Sequence, residues 1–226
     1  MADQLSLNLH QRPALGRDDF VVAGSNAVAA AMMTDRAHWP ASKLLLLGPA
    51  GSGKTHLTHV WAAENGARIV PAQGLAVADI PALAADHVAV EDVDGIAGDA
   101  AGEEALLHLH NLVLAEGHAL LMTALPAPAT WPITLPDLAS RLQATATANL
   151  AQPDDALLGA VLAKLFADRQ LVPGSGVVAY LLRHMDRSFD TAGRVVAAID
   201  RAALAQRRPV TVPLARETLA QSDCAS

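Results

Sequence analysis

Gly48-Pro49-Ala50-Gly51-Ser52-Gly53-Lys54-Thr55 fits the pattern G-x-x-x-x-G-K-[ST]. Its flanks supply the context that the pattern needs. Residues 44–47 are four consecutive leucines, which read as a buried parallel strand. Residues 55–65 read as a helix, with Gly66 placed to end it. The chemistry of a phosphate cradle demands these residue types. Glycines let backbone N–H groups turn inward around phosphate oxygens, and the helix N-terminus adds its positive end. A lysine at position 54 reaches the β and γ phosphates, and the Thr55 hydroxyl ligates Mg²⁺.

Working outward, a phosphate loop of this kind needs an acid at the end of a neighbouring strand to hold Mg²⁺ through water. The apolar run at 87–90 ends in Glu91-Asp92, so one acid can serve the metal and the other can polarise water. Thr123 ends a further apolar strand at 118–123, where its hydroxyl could orient water or sense the γ-phosphate. A helix over 103–116 and a strand at 68–71 fill the alternation. Residues 138–142 read as a short helix and 143–150 as a strand. Near the start, Ser25 or Asn26 can cap a helix beginning at Ala27. Strand and helix alternate, which predicts an α/β fold with a parallel sheet and helices on both faces. From Pro153 the pattern changes to helices over 154–171, 175–185, 191–206 and 214–222, with 209–213 extended. The expected organisation is a tail at 1–19, a nucleotide-binding α/β domain at 20–152 and a small all-helical lid at 153–226.

Composition excludes other classes. The chain has 226 residues, 52% hydrophobic and 17% charged, too apolar for a disordered polymer. The net charge of −7 argues against strong sequence-independent nucleic-acid binding, which needs clustered Lys and Arg. The charge is uneven: residues 1–136 are strongly acidic and residues 137–226 nearly neutral, in keeping with two modules. Cys224 is the one cysteine, so no intrachain disulfide can form and a reducing, cytoplasmic setting is expected. No apolar run is long enough to span a bilayer, so no membrane association is expected. The nine histidines form no metal-site spacing.

The motifs, taken together, resemble a family. Phe20-Val21-Val22 with Gly24-Ser25-Asn26, then GPAGSGKTHLTH, VAVEDVD, LLMTALPAP, LPDLASRL and DTAGRVVAAID stand in the order and spacing of the AAA+ ATPase module of the bacterial replication initiator DnaA. The tail plus a lone module is similar to the Hda-type relatives of DnaA. In that family the protein works with the β sliding clamp on DNA, stimulates ATP hydrolysis by DnaA and prevents re-initiation of replication. The resemblance implies an AAA+ P-loop fold that binds ADP or ATP with Mg²⁺. It implies the sliding clamp and DnaA as partners, and it leaves homo-oligomer formation open.

Residue roles follow from the resemblance. Gly48, Pro49, Ala50, Gly51, Ser52, Gly53, Lys54 and Thr55, with His56 next to them, form the Walker A site. Glu91 and Asp92 take the Walker B place, where the first acid is usually Asp, and Thr123 takes sensor 1. Arg141 matches the arginine finger that acts in a neighbouring subunit, and Arg194 the sensor 2 arginine of the lid. Val21, Val22 and Asn26 lie where the family encloses adenine. Gln4, Leu5, Leu7 and Leu9 match the clamp-binding motif, an extended peptide whose leucines fill apolar pockets. Two rival readings are a helicase loader of the DnaC type and a metabolic P-loop kinase. The clamp-like tail argues against the first, and the helical lid with its late Arg194 argues against the second.

Overall fold

β1 (Lys43–Leu47) is buried along its whole length, as its run of leucines predicts. The computed structural model describes residues 26–125 and 128–223. Gln4, Leu5, Leu7, Leu9, Val21 and Val22 lie outside the described residues. Four strands join β1 in one sheet: β2 (Arg68–Pro71), β3 (Val88–Glu91), β4 (Leu120–Ala124) and β5 (Thr147–Asn149). The order is β2-β3-β4-β1-β5, and every pair is parallel. Parallel neighbours need long crossovers, and helices supply them.

The leucines of β1 alternate between two cores, because successive strand residues point to opposite faces. Leu44 and Leu46 pack with α1 (Ala27–Thr34) and α2 (Lys54–Asn65), through Ala29, Met33, Leu57 and Trp61. Trp39 stacks on Trp61 there, with ring centroids 5.4 Å apart. Leu45 and Leu47 pack on the other face with α4 (Ala100–Ala115) and α5 (Pro136–Gln143), through Leu106, Leu109, Val113, Leu138 and Leu142. A sheet covered on both faces explains why its strands are continuous apolar runs.

The register brings three strand ends to one edge. Leu46 pairs with Thr123 and Leu47 with Ala124, so β1 and β4 finish together. β4 lies between β1 and β3, so the strand carrying Glu91 is two places from the phosphate-loop strand rather than its direct neighbour.

A third apolar cluster is built within residues 158–219, from α6 (Asp155–Asp168), α7 (Val177–His184), α8 (Phe189–Gln206) and α9 (Val212–Asp223). Asp154 caps α6 through the Leu157 N–H at 2.8 Å, and Ser188 caps α8 through the Thr191 N–H at 3.3 Å.

Some boundaries differ from the sequence reading. α4 starts at Ala100 because Asp99 accepts the Ala101 N–H at 3.3 Å. Only Thr147–Asn149 of the expected 143–150 strand pairs, since β5 is an edge strand with β1 alone beside it. α9 begins at Val212, inside the stretch read as extended. Pro213 fits its first turn, where no N–H is needed. The short α3 (Ile80–Ala84), capped by Asp79, is too brief to show a period. Asn26 holds the N-cap position of α1 but its side chain makes no capping hydrogen bond.

Candidate functional site

Between β1 and α2 the chain makes the turn that its glycines allow. Gly51 has φ +71° and Gly53 φ +96°, left-handed values that favour glycine. The Lys54 ammonium folds back and donates to the Gly48 carbonyl at 2.8 Å and the Pro49 carbonyl at 3.1 Å. Burial pushes its pKa down, while the carboxylates of Asp92, Asp94 and Glu91 act in the opposite sense. A Cβ at Gly48 would meet Ser52 Oγ at 2.7 Å and the Leu150 carbonyl at 2.8 Å, so Ser52 and Leu150 close the loop from behind.

The acids sit across from this turn. Asp92 has a left-handed backbone with φ 56°, uncommon for a non-glycine residue. Its N–H donates to Thr123 Oγ1 at 3.0 Å, which ties the β3 end to the β4 end. Asp94 Oδ1 accepts the Leu125 N–H at 3.4 Å. Glu91 Oε1 is buried with no hydrogen-bond partner among the described residues.

The loop, the acids and the lid line an open cleft of about 1920 Å³. Of the residues singled out in the sequence, Asn26, Ala50, Gly51, Gly53, Lys54, Thr55, His56, Asp92 and Arg194 line it. Gly48 and Pro49 supply the carbonyls that hold Lys54, and Ser52 is buried inside the loop. Thr123 is also buried and reaches the site through Asp92. Arg194 is exposed and pairs with Asp190 at 3.4 Å. Arg141 lies apart on α5, with its Nε 3.2 Å from Asp137 Oδ1.

Sequence reasoning missed Asp94, which faces the cleft while Glu91 is outside its lining. It also missed the contact between lid and loop. The Phe189 N–H donates to the Gly51 carbonyl at 3.0 Å. The Phe189 ring lies 3.2 Å from where a Gly53 Cβ would be, and Ser188 fills the space of a Gly51 Cβ. Val161 and Leu165, four apart on α6, add apolar lining, and that spacing was visible in the helix.

These residues fit a nucleotide with a hard divalent ion. The α2 N-terminus and Lys54 provide positive potential for phosphates. Thr55, Asp92 and Asp94 offer oxygen donors, which Mg²⁺ prefers. Among the described residues no cluster of three or more His, Cys, Asp or Glu forms a metal site by itself, so phosphate oxygens would complete the coordination. No described helix is long and apolar enough to cross a membrane.

Comparison with known proteins agrees with this geometry. Residues 159–219 match the family described as "Hda, lid domain". Domain III of the DnaA replication initiation protein of Thermotoga maritima is similar in structure, with TM-score 0.78 and 18% identity. That match covers 93% of this chain and 97% of that one. A DnaA bound to AMPPCP and single-stranded DNA matches with TM-score 0.70 and 16% identity, over 87% of this chain and 69% of that one. The Thermotoga maritima RuvB branch migration motor matches with TM-score 0.64 and 17% identity, over 86% and 65%. The chain is thus a five-stranded parallel α/β module with the AAA+ fold of DnaA domain III, followed by a helical segment that matches an Hda lid domain.

Proposed function

We propose that this protein binds ADP or ATP with Mg²⁺ in the cleft between loop and lid, docks on the DNA sliding clamp through its tail, and stimulates ATP hydrolysis by DnaA. It thereby acts as a negative regulator of replication initiation. The observation that carries this reading is the Hda lid domain on a DnaA-like fold. The solved DnaA with bound AMPPCP supports an adenine nucleotide as the ligand.

Within the chain, Lys54 and the α2 N-terminus would hold phosphates. Thr55 and Asp92 would hold Mg²⁺, with Asp94 beside them. Asn26, with Val21 and Val22, would enclose the base, and Arg194 would reach the nucleotide from the lid after leaving Asp190. A bound nucleotide would supply phosphate oxygens beside these donors.

Arg141 would act elsewhere, on ATP held by DnaA. Its position on α5, outside the cleft lining, suits a residue that serves a neighbour's nucleotide. A guanidinium stays charged at all relevant pH and chelates phosphate oxygens with a planar fork. An arginine supplied in trans can raise hydrolysis about 10³–10⁵-fold.

The test is a reconstituted assay with clamp, primed DNA and ATP-loaded DnaA. Arg141→Ala should lose clamp-dependent conversion of ATP-DnaA to ADP-DnaA and keep this chain's own nucleotide affinity. Conversion by the variant at the wild-type rate would overturn the trans role.

A further inference from the structure

α5, the helix that carries Arg141, begins badly by its own sequence. Its N-cap is Leu135, which has no side-chain acceptor, although Pro136 suits the first turn. The acceptor comes from another helix. Glu103 on α4 is fully buried, and its carboxylate takes the N–H groups of Leu135 at 2.8 Å, Thr134 at 3.0 Å and Gly98 at 2.8 Å. The Thr134 hydroxyl adds a bond at 2.7 Å. Burial works against this charge, but the hydrogen bonds from Thr134, Gly98 and Leu135 outweigh it and hold the carboxyl below its usual range.

The far end of α5 is held by a cation. Lys43, at the start of β1, is buried and donates to the Arg141 carbonyl at 3.3 Å. That carbonyl is one of the last four in the helix, which lack backbone partners within it, and it also accepts the Thr145 hydroxyl at 2.8 Å. Lys43 Nζ also lies 3.1 Å from His110 Nε2, and His110 is buried on α4. Burial first, and then the Lys43 charge, push His110 down to about 4, so the ring is neutral and accepts from the ammonium.

Glu103 and His110 are seven residues apart, two turns on one face of α4, or about 10.5 Å of rise. From Leu135 to Arg141 α5 rises about 9 Å. A negative group stands at the start of α5 and a positive one near its end, as the helix dipole favours.

We infer that Glu103 and the Lys43–His110 pair are positioning residues for Arg141, clamping α5 at both ends so that the guanidinium is presented in a fixed place. This inference rests on the proposed trans role of Arg141. Among the described residues the guanidinium itself is tethered by the Asp137 carboxylate alone, a half-exposed pair that phosphate oxygens can replace. A stiff helix with a loosely tethered tip loses little freedom on docking, and small misplacements of a charge-stabilising group cost rate steeply.

The experiment is the reconstituted hydrolysis assay with full-length Arg141→Ala, Glu103→Gln, His110→Leu and His110→Gln chains, titrated to saturation. Gln has one acceptor oxygen in place of the carboxylate pair, so Glu103→Gln should lower the saturating rate by about 10-fold or more. His110→Leu should do likewise, with the half-saturating concentration unchanged in both. His110→Gln, which can still accept from Lys43, should restore the rate. His110→Leu should keep this chain's own ADP affinity and melting temperature, readouts that general loss of stability would lower. If Glu103→Gln fails to fold, the two His110 variants still decide. Wild-type saturating rates for Glu103→Gln and His110→Leu, with Arg141→Ala inactive, would overturn the clamp alone. A fully active Arg141→Ala would overturn the finger and the clamp together.

Discussion

Lys54 illustrates how one side chain serves two states. Two of its three N–H donors are spent on the Gly48 and Pro49 carbonyls, inside its own loop. Those bonds keep a buried ammonium satisfied, and phosphate oxygens can take their place at the same turn. Lys54→Ala removes a charged hydrogen-bond donor, worth roughly 1.5–3 kcal/mol. We expect ADP affinity by calorimetry to fall about 10- to 100-fold. Equal affinity in wild type and variant would exclude the loop as the phosphate site. The motif made this residue legible from the chain alone. It did not reveal which acid would face it. Asp94 is three residues past Glu91, and only the 3₁₀ turn at Val93–Ile96 brings it round to the cleft.

Among the elements, the first turn of α8 has the most direct bearing on the site. Ser188 and Phe189 rest on Gly51 and Gly53, and the fit depends on the two glycines having no Cβ. A methyl group at Gly51 would fall inside the Ser188 side chain, on a backbone with φ +71° that alanine adopts reluctantly. Gly51→Ala should therefore lower stability by about 1–3 kcal/mol, from strain and from pushing the lid off the loop. Adding Ser188→Gly removes the obstructing side chain, and glycine is a tolerable N-cap, costing a few tenths of a kcal/mol. The double variant should regain part of the loss in thermal melts. Simple additivity of the two losses would exclude the contact. Gly51 announces itself in the motif, but its partner is 137 positions later, and nothing in the local pattern near Ser188 points back to it.

For the molecule as a whole, the three apolar clusters are built from residues 29–219, among those described. The clamp docking proposed above would use residues 4–9, before that span. Alanine at Gln4, Leu5 and Leu7 should abolish clamp binding in surface plasmon resonance and change stability by no more than about 0.5 kcal/mol. Unchanged clamp affinity would rule out the tail as the docking peptide. The chain by itself determined the phosphate loop, the alternation of strands and helices, and the change to an all-helical segment after Pro153. Each of these is written in neighbouring residues, as a glycine pattern, an apolar period or a cap. Folding alone decided that β4 enters between β1 and β3, that Asp94 rather than Glu91 faces the cleft, and that the lid touches Gly51. It also placed Glu103 against Thr134 and Lys43 against Arg141, contacts that span 31 and 98 positions. A buried glutamate and an exposed one look alike in a helical period, and only the packing around Glu103 separates them.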